Sequence, residues 1–536
     1  MSNEVVRKKA DKMKMKLPLH DIFIKVSLLL FVIVEAGHSS SCQKWQADVV
    51  KAEASVKVSR NYKGLWISEK CEIHSGPQFI LRRYHLSRSG HFNLVRFHYL
   101  DPWCTAPAFS VSAMGKLVPS PDKATSAAAS WVVPGGLELD YDLRRVVLVA
   151  FTQTSARRLA HSVNESCPGF VGAGGWKPFK KYKVLSYEGR NARKVHHRRQ
   201  GLGLLHDADC TRVLDLNFDE LQLMRLEHRT PLRFRQRGGS RDTSQRHQSY
   251  LYLGAKGFPK GSRPTYYQTP LLPAQVVHCP TCRSVSKSSS TSPPVLLASY
   301  SSDPPPSGLS GEWLSLRCEV RPYGLFLRRT FIFGGSTQDK NNHWQAQHSY
   351  YRDQNCNSPM FTLAARGIYH PGQPSEAVAD ATEYDFHIDE AYITPEDIQF
   401  ANNLNGILGC GSHGKWRVGT MGNLTGYGGC RELGIAVPSV ELDIIRYGRE
   451  DPDILFLYLG ETTQNEGRAT SFQPPLVRCS GSDETANADD YVLNFNELQP
   501  LPLTSWRSRA ESGSKGHIHG DLLWYLMMSC AFYLLY

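Results

Sequence analysis

The chain has 536 residues and a formal net charge of +12, with 41% hydrophobic, 10% aromatic and 21% charged residues. That is too long for one ordinary domain of roughly 100–200 residues, and the composition excludes a disordered or fibrous chain.

The N-terminus carries Arg7, Lys8, Lys9, Lys12, Lys14, Lys16 and Lys25, then an apolar run from Val26 to Val34 and small residues up to Ser41. A basic segment, a short apolar run and a small-residue exit predict a secretory signal peptide over residues 1–37, with an uncleaved signal anchor as the rival reading. Removing it takes a net +3 and leaves a basic body. Outside the cell that charge favours sulfated glycans or anionic membrane surfaces and argues against nucleic acid. Apart from Cys530 near the end, the cysteines are Cys42, Cys71, Cys104, Cys167, Cys210, Cys279, Cys282, Cys318, Cys356, Cys410, Cys430 and Cys479. An even number in a secreted chain predicts a disulfide framework whose pairing the sequence alone leaves open.

Two stretches share glycine, tryptophan, serine, cysteine and glutamate at identical offsets: Gly64, Trp66, Ser68, Cys71, Glu72, and Gly311, Trp313, Ser315, Cys318, Glu319. Further matches keep the same order. Leu81-Arg82-Arg83 answers Leu327-Arg328-Arg329 with a one-residue gap, and Cys104 and Gly115 answer Cys356 and Gly367. Glu220 to Arg225 answers Glu441 to Arg446, and Tyr252-Leu253-Gly254 answers Tyr458-Leu459-Gly460. One ancestral domain is used twice, over residues 42–283 and 311–480.

Between these anchors Val95, Phe97 and Tyr99 alternate with Arg96 and His98, and Tyr384, Phe386 and Ile388 alternate with Asp385 and His387. Period-two patterning predicts antiparallel strands with one face on a core and the other in solvent. The expected fold is mainly β: two tandem, homologous, barrel-like antiparallel domains, disulfide-bonded, each with about one helix. The helices are expected over Thr154 to Val163 and after an N-cap at Thr394.

The first copy carries basic insertions, including Arg193, Lys194, Arg198 and Arg199, which read as a solvated loop or as a heparan-sulfate patch. Residues 284–310 are Ser/Pro-rich and predict a semi-extended, poorly ordered linker. Sequons place N-glycans at Asn164 and Asn423. Residues 481–513 read as a stalk. Residues 514–536 end in an apolar tail that reads as a glycolipid-anchor signal, or else as a short transmembrane segment. Both place the body on the extracellular side of the plasma membrane.

The doubled Gly-x-Trp…Cys-Glu unit, Cys-Pro-Gly-Phe at Cys167 to Phe170, Cys-Glu-Val-Arg-Pro at Cys318 to Pro322 and Asn-Gly-x-x-x-x-Cys-Gly at Asn405 to Gly411 resemble the adenomatosis polyposis coli down-regulated protein 1 family. The resemblance covers roughly residues 63 to 479. It implies a membrane-tethered inhibitor of Wnt signalling that binds Wnt ligands, and a low-density-lipoprotein-receptor-related co-receptor. It also implies an apolar barrel cavity suited to the acyl chain of Wnt. Two features depart from the family: the basic residues that usually follow its membrane helix are missing, and the basic insertions are long.

Repeat equivalence pairs Cys71 with Cys104 and Cys318 with Cys356, then Cys167 with Cys210 and Cys410 with Cys430. Cys42, Cys279, Cys282 and Cys479 are left, and a bridge between the copies is open among them. Phe97, Tyr99, Tyr384 and Phe386 are candidates for a pocket wall or for plain core, which look alike in a string. Trp66 and Trp313 are expected to pack on disulfides. No catalytic motif, metal-ligand set or cofactor loop is evident, so no enzyme activity, metal or cofactor is expected. A heparan-sulfate-binding surface protein and a carrier of another lipid stand as alternatives, and homodimerisation is left open.

Overall fold

The alternating patterns form strands that pair into two large sheets, each closing on itself, beside a separate two-stranded sheet in the second copy. In the computed structural model the described residues are 41–119, 133, 135–172, 174–186, 216–229, 248–255, 262–276, 279–297, 308–334, 342–451, 454–461 and 467–479. The first copy supplies β1 (Lys57–Ser59), β2 (Gly64–Ile67), β3 (Glu72–His74), β4 (Gln78–Leu86), β5 (His91–Tyr99), β6 (Pro107–Pro119), β7 (Leu137–Ala150), β8 (Tyr182–Ser186), β9 (Leu223–Arg229), β10 (Gln248–Leu253) and β11 (Leu272–Pro273). The second supplies β12 (Gly311–Ser315), β13 (Glu319–Arg321), β14 (Leu325–Phe333), β15 (His343–Tyr351), β16 (Pro359–Pro374), β17 (Thr382–Pro395), β18 (Gly422–Asn423), β19 (Gly429–Cys430), β20 (Ile435–Ala436), β21 (Ser439–Asp451), β22 (Ile454–Leu459) and β23 (Leu476–Arg478). The helices are α1 (Ser41–Ala54), α2 (Gln153–Ser166), α3 (Pro280–Ser286) and α4 (Ile398–Gly406).

In the second copy the ring runs β12-β23-β22-β21-β17-β16-β15-β14 and returns to β12, giving an eight-stranded antiparallel barrel. The first copy repeats it as β2-β11-β10-β9-β7-β6-β5-β4, closed between β10 and β11 by the Leu251–Leu271 bridge. Helices α2 and α4 follow the equivalent strands β7 and β17, and their residues join the core of their own barrel, as Leu159 and Val163 do in one and Phe400 and Leu404 in the other. Each helix begins at a side-chain cap. Thr152 Oγ1 accepts from Ser155 N at 3.0 Å, and Asp397 Oδ1 accepts from Phe400 N at 2.8 Å. The cap of α4 is therefore Asp397 and not Thr394, because β17 stays extended through Pro395.

Every member of the repeated motif has a structural task. Gly64 and Gly311 sit at φ +151° and +119°, where a side chain is strained. Ser68 Oγ donates to Glu72 at 2.6 Å and accepts from Arg82 N at 2.7 Å. Ser315 does the same with Glu319 and Arg329, at 2.7 and 2.8 Å. Arg82 with Glu72 and Arg329 with Glu319 are buried ion pairs at 2.8 and 2.9 Å. This network aligns Arg82 with Arg329, so the copies run through this region without the one-residue gap expected from the sequence. Gly115 and Gly367 lie at matching bulges of β6 and β16. A Cβ there would come within 2.2 Å of Asp142 O and 1.9 Å of His387 O, so only glycine fits.

Trp66 and Trp313 point into the barrel cores, and each indole Nε1 donates at 2.8 Å to the carbonyl four residues earlier, of Tyr62 and Leu309. They do not pack on the disulfides, which belong to separate small clusters, Cys104 with Ile67, Leu81 and Phe97, and Cys318 and Cys356 with Phe326. The reason is strand parity: Ile67, one residue along β2, takes the outer face that the bridge occupies.

The Ser/Pro-rich linker also differs from expectation over residues 284–297. Its start is α3, and the chain then lies along the outer face of the first barrel. Tyr99 Oη donates to Pro294 O at 2.5 Å and Ser110 Oγ to Ser290 O at 2.6 Å. The apolar outer face of β5 needs that cover. The barrels are joined by the Cys42–Cys479 disulfide and by Lys70 Nζ donating to Tyr458 Oη at 2.8 Å, Gly76 N to Thr470 Oγ1 at 2.9 Å and Trp103 Nε1 to Asp380 at 2.9 Å.

Candidate ligand cavity in the second barrel

An eight-stranded barrel has a lumen just wide enough to be filled by its own side chains or to hold one small ligand. Side-chain volume at the inward positions decides which. In the first barrel one rung of paired residues reads Tyr84, Leu94, Ala113, Val146 and the next Arg82, Arg96, Val111, Leu148. In the second barrel the corresponding rungs read Phe331, Ala346, Ala365, Ala391 and Arg329, His348, Leu363, Ile393. The second copy has lost volume at Leu94→Ala346, Val146→Ala391 and Arg96→His348, and a hydroxyl at Tyr84→Phe331.

The first lumen is plugged by the segment leading into β9. Phe218 and Leu221 are fully buried there. Arg96 pairs with Glu220, lies 4.7 Å over the Phe218 ring and donates to Asn217 O at 3.1 Å. Tyr84 Oη donates to Glu220 at 2.6 Å and Tyr141 Oη to Asp219 at 3.0 Å. Burial raises both phenols well above their ordinary range.

In the second barrel that plug is missing its cation, and a cavity of about 50 Å³ remains. Its apolar wall is Phe331, Trp344, Ala346, Leu363, Ala365 and Phe386. Phe331, His348, Glu441 and Asp443 face inward yet are only half-buried, so the cavity communicates with solvent.

The polar side of the cavity carries Arg329, His348, Glu441, Asp443 and Gln473. Arg329 donates to Glu319 at 2.9 and 3.0 Å, to Pro474 O at 2.5 Å and to Gln473 Oε1 at 3.0 Å. Asp443 Oδ1 accepts from Ile444 N at 2.6 Å and Gly460 N at 2.7 Å. Burial still pushes its carboxyl up to about 7, against the pull of those bonds and of Arg329 and Arg468. Glu441, the counterpart of Glu220, has no such partners. Burial and the neighbouring Asp443 push it up to about 8, and its Oε1 is shut from solvent with no hydrogen bond. Burial, then Arg329 and Arg321, lowers the His348 imidazole to about 3, and its Nε2 is likewise buried and unpaired.

Of the sequence candidates for a pocket wall, Phe386 lines this cavity. Tyr384 packs beside it with rings 6.2 Å apart. Phe97 and Tyr99 do not line a lumen. They point outward from the first barrel, under α3 and residues 288–297, while Arg96 points inward. The charged face of β5 is thus the inner one because Glu220 meets Arg96 inside. His348, Ala346 and Ala365 were not singled out from sequence and Glu441 only as a repeat anchor answering Glu220, although aligning Arg96 with His348 marks the difference between copies.

Bridges join Cys71 to Cys104, Cys318 to Cys356, Cys410 to Cys430, Cys279 to Cys282 and Cys42 to Cys479. Cys167 is disulfide-bonded; Cys210 lies outside the described residues, as do Arg193, Lys194, Arg198, Arg199, the signal segment, the stalk and residues 514–536. Asn164 and Asn423 are exposed. Among the described residues the grouping with metal-donor atoms is Cys42, Glu312 and Cys479, whose sulfurs are joined in the disulfide. No described helix is long and apolar enough to cross a membrane.

The adenomatosis polyposis coli down-regulated 1 family model matches the chain twice, over residues 41–297 and 298–503. The two matches meet where the ordered linker leaves the first barrel, so each takes in one barrel. With most of its length and both barrels covered, the chain belongs to the adenomatosis polyposis coli down-regulated 1 family.

Proposed function

We propose that this protein is an extracellular, membrane-tethered negative regulator of Wnt signalling that captures Wnt through its acyl chain in the second barrel. Membership of the family fits such a role, and the family is not a known enzyme family. The observation that carries the reading is the unfilled lumen: Ala346 and Ala391 stand where the first barrel is packed by Leu94 and Val146. Capture by burial needs no catalytic group, only apolar surface.

A cavity of about 50 Å³ takes about three to five water-sized groups at roughly 10–15 Å³ each. Four buried methylenes contribute about 3 kcal/mol at ~0.8 kcal/mol each, roughly a hundredfold in Kd. Deeper entry of a long chain requires the half-buried Phe331 ring to swing aside. Recruitment of a low-density-lipoprotein-receptor-related co-receptor belongs to the same proposal, as does tethering through residues 514–536.

The test is capture of acylated Wnt and of the same Wnt after enzymatic deacylation by the purified full chain, with a β-catenin reporter in parallel. Capture and inhibition that both need the acyl group support the reading. Equal capture of the two forms places recognition outside the cavity, and capture of neither removes the Wnt assignment.

A further inference from the structure

A lumen built only to bury methylenes has no use for polar atoms that lack partners. Buried polar groups in folded proteins are almost always hydrogen-bonded, and each orphan asks for a bound water or ligand. Two orphans, Glu441 Oε1 and His348 Nε2, belong to residues that line the same cavity. They come from different strands, β21 and β15. Both stand where the first barrel holds the Glu220–Arg96 ion pair.

Resting on the reading of this cavity as a lipid site, we propose that it selects uncharged lipids bearing an ester or hydroxyl, clamped between the Glu441 carboxyl and the His348 imidazole. A protonated carboxyl donates to an ester carbonyl or to a hydroxyl oxygen, and a neutral imidazole accepts from the hydroxyl proton. Both groups are held in those neutral forms by burial.

The surrounding charges argue against an anionic head. Asp443, pushed up only to about 7, is part-ionised at neutral pH beside the neutral Glu441, so a carboxylate ligand would bring a second negative charge into one pocket. The one cation lining the pocket, Arg329, forms a buried ion pair with Glu319 and also donates to Gln473 and Pro474, so most of its donors are already committed. Free fatty-acid anions are thereby disfavoured, while an acyl chain attached through an ester is matched.

The experiment titrates the full chain with hexadecanol, methyl hexadecanoate and hexadecanoate, displacing a polarity-sensitive fluorescent lipid at neutral pH. Expected is roughly tenfold tighter binding of the two neutral lipids, the value of one hydrogen bond of about 1.4 kcal/mol. Glu441→Gln, which keeps a donor, should bind within about threefold of the parent. Glu441→Leu should lose the preference while still binding the chain. His348→Phe should weaken hexadecanol more than the ester. Equal binding of all three lipids, or an unchanged preference in Glu441→Leu, overturns the clamp and leaves the lipid cavity standing. Failure of every lipid to displace the probe, with only water in the cavity, overturns both.

Discussion

Arg96 and His348 occupy the same position in their two barrels, opposite Arg82 and Arg329 respectively. One is an inward cation that pairs with Glu220 and closes a lumen. The other is a neutral ring that leaves Glu441 unpaired. The repeat therefore diverged at its interior while keeping its frame.

If side-chain volume alone separates a packed barrel from an open one, restoring it should close the cavity. Ala346→Leu copies Leu94 of the first barrel. It should cut lipid and acylated-ligand binding by about tenfold or more, and leave the thermal midpoint unchanged or higher. The reverse change, Leu94→Ala, should destabilise by about 2–5 kcal/mol. Denaturant titration and lipid displacement on the same variants check both.

The buried Arg–Glu pairs are the frame. Removing one partner leaves the other charge stranded, so Glu72→Ala or Glu319→Ala should cost about 3–5 kcal/mol. A paired apolar replacement, Arg82→Met with Glu72→Met, should cost much less. Burial raises the Glu72 carboxyl, but Arg82 and His74 outweigh it and hold it at about 2. Its stabilisation is thus present above 4.5 and lost as pH falls from there towards 2.

Glu441 and Asp443 act in the opposite sense. Their folded values, about 8 and 7, lie above the ordinary 4.5 and 3.8, so the folded state keeps protons the unfolded chain has released. Stability should fall as pH rises towards 8 and level off beyond it. His348, ordinarily 6.5 and lowered to about 3, costs stability only below 6.5, so the window above 6.5 isolates the carboxyls. At ~1.4 kcal/mol per proton per pH unit, the loss between pH 6.5 and 8 is about 2 kcal/mol. Unfolding curves across that window should flatten in Glu441→Gln; an unchanged slope would remove Glu441 from the account.

The Cys42–Cys479 bridge ties α1 to the last strand of the second barrel across 437 residues. Each barrel also closes its own ring of strands. Replacing both cysteines with serine should cost about 2–4 kcal/mol and split one calorimetric transition into two. A single unshifted transition would show that the non-covalent contacts between barrels suffice.

Much of the frame was legible in the sequence because duplication prints it twice. The Gly-Trp-Ser-Cys-Glu unit, the bulge glycines and the barrel class all follow from residues that recur. The direction in which a strand faces was not legible. Val95, Phe97 and Tyr99 look like a core row, yet parity sends them outward under a segment whose composition reads as a linker. Arg96 looks solvated and is the heart of the first lumen, because its partner Glu220 is 124 residues away. The cavity was hidden for a related reason. It is defined by what Ala346, Ala391 and His348 lack relative to their counterparts, and a missing volume has no pattern of its own in a string.

The most direct test is to load the full chain with a photoactivatable acyl ester carrying a diazirine near the chain end and to map the adducts by peptide mass spectrometry. The account predicts adducts on Phe331, Trp344, Leu363 or Phe386 in the second barrel, displaced by acylated Wnt. Adducts on the first barrel's interior, at Leu94 or Val111, or labelling that is confined to the outer surface, would contradict it.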